Sequence, residues 1–202
     1  MGDKRWPLLK YILEKLEGHW RAGIALDFHT TSSTPIGMND QGHIQFDTVR
    51  PPIAPLLYEL KYRGDPNAVP VIVETVAAFL APRKQKFDLI IPVPPSAQRT
   101  IQPVIVLANG IGAAVGLPVS NCIGTTRSTT QLKGVTDPEE RIKLVDGLYS
   151  VDSAQTKGKN ILLFDDLFRS GSTMNAITDL LLDQGQAASV SAFTITKTRS
   201  NQ

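Results

Sequence analysis

The segment Ile161–Thr173 has the sequence ILLFDDLFRSGST, and it decides how the whole chain is interpreted. Its first four residues are apolar, which predicts a buried strand, and two adjacent carboxylates follow at Asp165 and Asp166. Two more apolar residues lead into a turn of hydroxyl residues and glycine, after which a helical pattern begins. Ligands of open α/β sheets bind beyond the carboxyl ends of the strands, so this segment is the first candidate for a functional site.

The turn before the helix has the chemistry of an anion site. Backbone N–H groups at a helix start and the positive end of the helix dipole attract an anion, and a phosphate suits them best. Arg169 offers a guanidinium, and Ser170, Ser172 and Thr173 add hydroxyl donors. Gly171 allows the backbone to come close to the ligand.

The acid pair must serve another part of the ligand, because carboxylates beside a phosphate repel it. Asp165 and Asp166 suit hydroxyl groups or a hard cation such as Mg²⁺. A phosphate at one end and vicinal hydroxyls near the acids describe a ribose 5-phosphate. The alternative is that the two aspartates only end a strand and cap the next helix.

Strands and helices alternate in the second half of the predicted structure. Strands are predicted at Phe87–Val93, Asn160–Phe164 and Ser189–Thr196, helices at Ile101–Val115 and Thr173–Gln184, and between them a long loop, Thr125–Pro138, with a helical turn at Glu139–Leu144. Such units indicate an α/β fold with an open, mainly parallel twisted sheet flanked by helices.

The first part of the chain predicts helices around a hairpin. An amphipathic helix is expected from Leu8 to Leu16, begun by Pro7 and ended near Gly18, followed by a hairpin of two strands, Ile24–Phe28 and His43–Asp47, and by helices at Leu56–Tyr62 and Val69–Leu80. We therefore divide the chain into an N-terminal extension, or hood, over residues 1–55 and a main domain over residues 56–202.

The composition is that of an ordinary globular protein. Of the 202 residues, 42% are hydrophobic and 20% charged, and the formal net charge of +2 is too small to favour nucleic-acid binding. Cys122 is the single cysteine and is predicted to be a buried thiol, while His19, His29 and His43 lack metal-ligand spacing and are interpreted as structural or surface residues. No apolar run reaches the ~18 residues that span a bilayer, so we expect a cytoplasmic protein without membrane attachment.

The site segment resembles the thirteen-residue signature for phosphoribosyl pyrophosphate in the type I phosphoribosyltransferases. That signature has four apolar residues, two acids, two apolar residues, two hydroxyl residues, glycine, a small residue and threonine. Arg169 departs from it by standing where threonine is common. The resemblance implies the type I phosphoribosyltransferase fold over residues 56–202.

Further stretches resemble the competence protein ComF branch of that superfamily. They are Leu57–Asp65, with the sequence LYELKYRGD, Asp88–Pro94 followed by Arg99, and the residues Arg127, Thr130, Gln131, Leu132 and Arg141. The chain departs from the branch at Gln102–Val106, where an Arg-Gly-Phe-Asn-Gln run is usual, and it lacks the N-terminal cysteine module that many members carry.

The resemblance implies roles for particular residues. Asp165, Asp166 and Arg99 are expected to act in catalysis, and Arg169, Ser170, Gly171, Ser172 and Thr173 to hold the 5-phosphate. Pro94, Pro95 and Ser96 are expected to form the pyrophosphate loop, and Arg127 and Gln131 to lie in a mobile loop that excludes water. Mg²⁺ is the implied cofactor, held by Asp165 and Asp166 directly or through water.

The implied activity is transfer of ribose 5-phosphate from phosphoribosyl pyrophosphate to a nitrogen acceptor. Phosphoribosyl pyrophosphate or a nucleoside monophosphate is the expected ligand, and a homodimer is the commonest default assembly. Two alternatives stay open: a sensor that binds the same ligand without turnover, and an accessory protein of DNA uptake.

Several basic residues have a second interpretation, in which they play no part in the site. Arg99, Arg127 and Arg141 are each open to interpretation as solvated arginines, and Lys61 and Arg63 as helix-end charges, which we slightly favour for the last two.

Overall fold

The computed structural model describes residues 8–95, 99–126 and 147–199. A sheet of five strands forms its centre, in the order β1-β2-β9-β8-β5. Its strands are β1 (Glu14–Lys15), β2 (Ala22–Phe28), β5 (Leu89–Pro92), β8 (Asn160–Phe168) and β9 (Ser189–Lys197). The last four run parallel, and β1 pairs antiparallel with β2. The prediction of an α/β fold with a mainly parallel sheet is confirmed.

Two small antiparallel pairs lie outside the central sheet. They are β3 (Ser32–Met38) with β4 (Ile44–Val49), and β6 (Ile123–Thr125) with β7 (Tyr149–Val151). Sequence reasoning placed no strand at β3, β6 or β7, because these stretches are short or polar and lack a clear apolar alternation.

Helices cover both faces of the central sheet. They are α1 (Ile53–Tyr58), continued by a π-helix (Glu59–Arg63), α2 (Ala68–Leu80), continued by a 3₁₀ helix (Ala81–Lys86), α3 (Pro103–Val115), the short α4 (Ser153–Thr156) and α5 (Ser172–Asp183). Gly64 ends the π-helix in a left-handed conformation, with φ of 67°. In the described residues no helix has both the length and the apolar character that crossing a membrane requires.

Side chains alternate along β8 between two cores. Ile161 and Leu163 pack on the face covered by α5, whereas Leu162 and Phe164 pack on the face covered by α1, α2 and α3. This alternation follows from the two-residue period of a strand. Burial on both faces explains why the strand has a continuous apolar run.

The predicted N-terminal helix is wrong. Residues 8–13 have no regular structure, and β1 follows them. The backbone N–H of Leu9 donates to Thr75 Oγ1 at 3.3 Å, and that of Ile12 donates to Asp27 Oδ2 at 3.2 Å. Asp27 therefore takes the N–H of Ile12, which in a helix would bond to the carbonyl of Leu8, in spite of the helical spacing of the apolar residues.

The predicted hairpin has the wrong first strand. Ile24–Phe28 lies within β2, which is paired with β9 in the central sheet, and the hairpin is formed by β3 and β4. Ala25 and Leu26 are fully buried, which requires a strand inside the sheet and not one in an exposed hairpin. The division of the chain at residues 55 and 56 stays a prediction.

Candidate functional site

A small cavity lies where β8 ends and α5 begins. It is open to solvent on one side and has a volume of about 70 Å³. Its lining consists of consecutive residues of the site segment together with the first acid: Asp165, Leu167, Phe168, Arg169, Ser170, Gly171, Ser172, Thr173 and Met174. The structure thus brings the five predicted phosphate-binding residues together around one space.

Gly171 is the lining residue of this cavity that has an unusual backbone conformation. It precedes α5 with φ of +78°, a left-handed conformation that L side chains rarely adopt. A Cβ atom there would lie 2.9 Å from Phe168 Cζ. Phe168 is itself in edge contact with Trp20, at 6.0 Å between ring centroids, so its ring has little room to move.

The helix start offers donors without a competing cap. No side chain of a described residue caps the N-terminus of α5, and its first turn contains no acidic residue. Ser170 Oγ and Ser172 Oγ lie 2.8 Å apart and share a hydrogen bond. We call Arg169–Thr173 the cradle, since its hydroxyls, backbone amides and guanidinium border the cavity together with the positive end of the α5 dipole.

The two acids lie on opposite faces of one strand. Sequence reasoning ended the strand before Asp165, but β8 continues through both acids to Phe168. Asp165 therefore follows Ile161 and Leu163 toward the α5 face and lines the cavity, whereas Asp166 follows Leu162 and Phe164 toward the other face. The backbone N–H of Asp166 donates to Asp165 Oδ1 at 2.8 Å.

Asp166 has its own cation. Lys61 Nζ donates to Asp166 Oδ1 at 2.9 Å, and the exposed fractions of the two side chains are only 14% and 10%. Lys61 comes from the π-helix, a wide helical turn that is often found at functional sites. The interpretation of Lys61 as an ordinary helix-end charge is thereby replaced by a buried ion pair. Arg63 is exposed and pairs with Glu59 in the same helix.

Burial raises the pKa of Asp165 to about 8, and the negative charge of Asp166 adds to this effect. The backbone hydrogen bond from Asp166 and the charge of Lys61 oppose it. A carboxyl with this pKa is protonated over much of the neutral range and can donate a hydrogen bond as well as accept one.

His29 lies near the same edge of the sheet. Its Nδ1 is 3.2 Å from Thr196 Oγ1, and burial lowers its pKa, followed by the charges of Arg50, Lys61 and Arg169. Because β2 runs parallel to β9, which pairs with β8, His29 follows β2 at the same edge of the sheet as the site. Sequence reasoning assigned it a structural or surface role because no motif surrounds it, and the only available signal was its position directly after a buried strand.

The other predicted site residues are only partly described. Pro94 and Pro95 follow β5, which runs parallel to β8, so they leave the sheet at the edge where the acids lie. Arg99 is exposed, and no hydrogen bond or ion pair joins it to the cradle residues. Ser96, Arg127, Gln131 and the further loop residues Thr130, Leu132 and Arg141 lie outside the described residues.

The described residues do not form a metal centre of their own. None of them belong to a group of three or more His, Cys, Asp or Glu side chains that could hold an ion. One of the two available carboxylates, Asp166, is already bonded to Lys61. The two carboxylates lie on opposite faces of β8, and one of them is bonded to an ammonium group, so they do not fit a resident Mg²⁺. The assignment of Mg²⁺ to Asp165 and Asp166 stays a prediction that this geometry does not favour.

Comparison with known proteins gives one curated relative. The competence protein ComFC of Bacillus subtilis (strain 168) is 26% identical over 140 residues, which cover 69% of this chain. The chain spans 57% of the length of that relative. No protein-family model matches the chain.

Solved structures of phosphoribosyltransferases are similar in a weaker sense. The glutamine phosphoribosylpyrophosphate amidotransferase of B. subtilis has a TM-score of 0.46 at 19% identity, covering 78% of this chain and 34% of its own. The adenine phosphoribosyltransferase of Saccharomyces cerevisiae has a TM-score of 0.46 at 13% identity, covering 82% of each chain. That of Trypanosoma brucei has a TM-score of 0.48 at 12% identity, covering 87% of this chain and 71% of its own.

The match to ComFC supports what the motifs at Leu57–Asp65 and Ile161–Thr173 indicate, namely that this α/β protein resembles the ComF branch of the phosphoribosyltransferase superfamily.

Proposed function

We propose that this protein binds phosphoribosyl pyrophosphate and transfers its ribose 5-phosphate group to a nitrogen acceptor. The observation that supports the proposal is the shared cavity, which is lined by both the cradle and Asp165. An anion site and a hydroxyl-binding group in one pocket match the two ends of a ribose 5-phosphate.

Each group of residues would bind a different part of the ligand. The cradle would hold the 5-phosphate through backbone amides, the hydroxyls of Ser170, Ser172 and Thr173, and the guanidinium of Arg169. Asp165 would bind a ribose hydroxyl, and its raised pKa lets it act as donor or acceptor. The residues after β5, Pro94 and Pro95, would lie toward the pyrophosphate because β5 and β8 end at the same edge of the sheet.

The reaction would exchange one bond at C1 of the ribose for another. The bond between C1 and the pyrophosphate oxygen breaks, and pyrophosphate leaves with the electron pair. The acceptor nitrogen forms the new bond to C1 and loses its proton to water. Mg²⁺ would arrive with the ligand and offset the negative charge of the pyrophosphate.

Calorimetry with phosphoribosyl pyrophosphate in the presence of Mg²⁺ tests ligand binding, and pyrophosphate release with a panel of bases and amines tests turnover. We expect saturable binding to the wild type and a loss of at least about tenfold for Asp165→Asn, because a hydrogen bond to a ligand hydroxyl is altered. Asp179→Asn, at the exposed Asp179 of α5, is the matched control and should bind like the wild type.

The similarity to a competence protein supports a second candidate, an accessory role in DNA uptake. A salt-dependent gel shift with single-stranded DNA distinguishes the two, because a chain with a net charge of +2 should show little retardation at physiological salt unless it has a dedicated DNA surface. Binding of phosphoribosyl pyrophosphate without pyrophosphate release for any acceptor would favour a sensor instead.

A further inference from the structure

The acid pair Asp165 and Asp166 of β8 has a positively charged partner in the protein itself, the side chain of Lys61. Lys61 Nζ lies 2.9 Å from Asp166 Oδ1, and the two residues are 105 positions apart in the chain. Both side chains are largely buried, so water and salt screen this pair only weakly. Removing one partner of such a pair leaves an uncompensated buried charge.

Charge compensation matters here because of the neighbouring anion site. Asp166 is adjacent to Asp165, which lines the cavity with the cradle. The buried negative charge of Asp166 lies one residue from that site, and a divalent cation is one way to compensate it. An ammonium group already bonded to Asp166 is another.

Lys61 also orients the acid that faces the cavity. It bonds the Asp166 side chain on the face of the sheet opposite the cavity, and the Asp166 backbone N–H donates to Asp165 Oδ1 at 2.8 Å. Asp166 thereby joins Lys61, through its side chain, to the acid that lines the cavity, through its backbone. Lys61 is in this sense a positioning residue, since it acts on the ligand site through two other residues.

We infer that Lys61 is the resident cation of the acid pair, and that ribose 5-phosphate therefore binds at the cradle without a divalent cation. This inference rests on the proposed function, since it concerns the same site. It assigns Mg²⁺ to the pyrophosphate part of a larger ligand and leaves the ribose end of the site independent of metal.

The test is calorimetry with ribose 5-phosphate, performed once with EDTA and once with excess MgCl₂. The wild type should have the same affinity in both conditions within about threefold, less than one hydrogen bond contributes. Lys61→Met should bind at least about tenfold more weakly in EDTA, because the buried charge of Asp166, one residue from the acid that lines the cavity, is then uncompensated. MgCl₂ should recover most of that loss.

Two further variants separate positioning from a purely structural role. Lys61→Arg keeps the positive charge and should keep metal-independent binding, whereas a variant that was merely destabilised would not acquire a dependence on Mg²⁺. Arg63→Met removes an exposed cation two residues away, whose partner is Glu59, and should behave as the wild type. Circular dichroism verifies that each variant is folded.

The inference is overturned if wild-type binding of ribose 5-phosphate weakens tenfold or more in EDTA, or if folded Lys61→Met binds as the wild type does there. It is equally overturned if Mg²⁺ fails to restore binding to folded Lys61→Met. Should that variant not fold, the wild type and Lys61→Arg in the two conditions decide the matter. Binding that occurs only with Mg²⁺ leaves the proposed function intact, whereas no binding of ribose 5-phosphate in either condition refutes the proposed function and this inference with it.

Discussion

At residue 171 both the backbone conformation and the neighbouring Phe168 ring require a glycine. Gly171 has a positive φ, and a Cβ atom would meet the Phe168 ring at 2.9 Å. We expect Gly171→Ala to lose at least about tenfold in affinity for ribose 5-phosphate, since the turn and the ring must both shift to admit the methyl group. Calorimetry measures the affinity, and thermal unfolding measures the accompanying loss of stability.

Gly116 provides the matched control. It follows α3 with φ of +74°, and no atom of a described residue lies within 4 Å of the position that a Cβ would take. Gly116→Ala should therefore carry the backbone cost alone, about 1–2 kcal/mol, and leave ligand affinity unchanged. Equal loss of affinity in the two variants would show that general destabilisation, and not the shape of the cradle, governs binding.

The pKa of Asp165 predicts how stability depends on pH. Burial and the charge of Asp166 raise this pKa from 3.8 to about 8. Between these values the folded protein holds a proton that the unfolded chain releases, so this group contributes stability that is complete below about pH 4 and is lost as the pH rises through 8. Denaturant unfolding of the wild type and Asp165→Asn across this range should show a downward slope that the variant lacks.

Asp88 is a control of opposite sign. The backbone and side-chain hydrogen bonds from Asn160 lower its pKa below 3.8, so its contribution is present above pH 4 and is lost as the pH falls through the lowered pKa. Asp88→Asn should weaken the acid side of the stability profile and leave the slope toward pH 8 in place. If Asp165→Asn keeps that slope as well, the raised pKa of Asp165 is not its cause.

At the scale of elements, the sequence predicted best those elements that have a continuous apolar pattern of their own. The apolar run Ile161–Phe164 predicted the first half of β8, and the apolar stripe after Thr173 predicted α5, because each pattern lies within consecutive residues of one element. The cradle could be predicted for the same reason, since its residues are consecutive. The structure places these residues around one cavity, while their roles remain proposals.

Contacts between distant residues account for what the sequence did not reveal. The backbone N–H of Leu9 donates to Thr75, 66 positions away, and no local sequence pattern indicates this contact. The ion pair of Lys61 with Asp166 spans 105 positions. The division of the acids between two faces was missed because the strand was ended one residue before Asp165, whereas it continues to Phe168.

The hairpin of β3 and β4 is an element that adds little to the stability of the fold. Ile36, Met38, Ile44 and Phe46 are each more than half exposed, and an isolated two-stranded hairpin is marginally stable in water. We expect Phe46→Thr to change the free energy of unfolding by no more than about 0.5 kcal/mol. Phe193→Ala, in a core residue that is 2% exposed, should cost about 3–5 kcal/mol in the same denaturant titration. A large loss for Phe46→Thr would mean that the hairpin packs against something in solution.

At the scale of the molecule, β8 joins the two cores into one folding unit. Leu162 and Leu163 are neighbours in this strand, yet the first packs against α1, α2 and α3 and the second against α5. A defect in either core therefore acts on the strand that both cores share. We expect Leu162→Ala and Leu163→Ala each to cost about 2–5 kcal/mol.

The two variants should also leave unfolding cooperative. Trp20 lies in the α5-side core, so in a Trp6→Phe background its fluorescence reports on that face, whereas far-ultraviolet circular dichroism reports on the whole chain. For Leu162→Ala, whose defect lies on the opposite face, the two probes should give coincident denaturation curves with a lowered midpoint and an unchanged slope. If the Trp20 fluorescence transition stays at the wild-type midpoint while the circular dichroism curve shifts, the two faces of the sheet unfold separately. The phosphate cradle at the start of α5 would then belong to a unit that is stable without the face that carries Lys61.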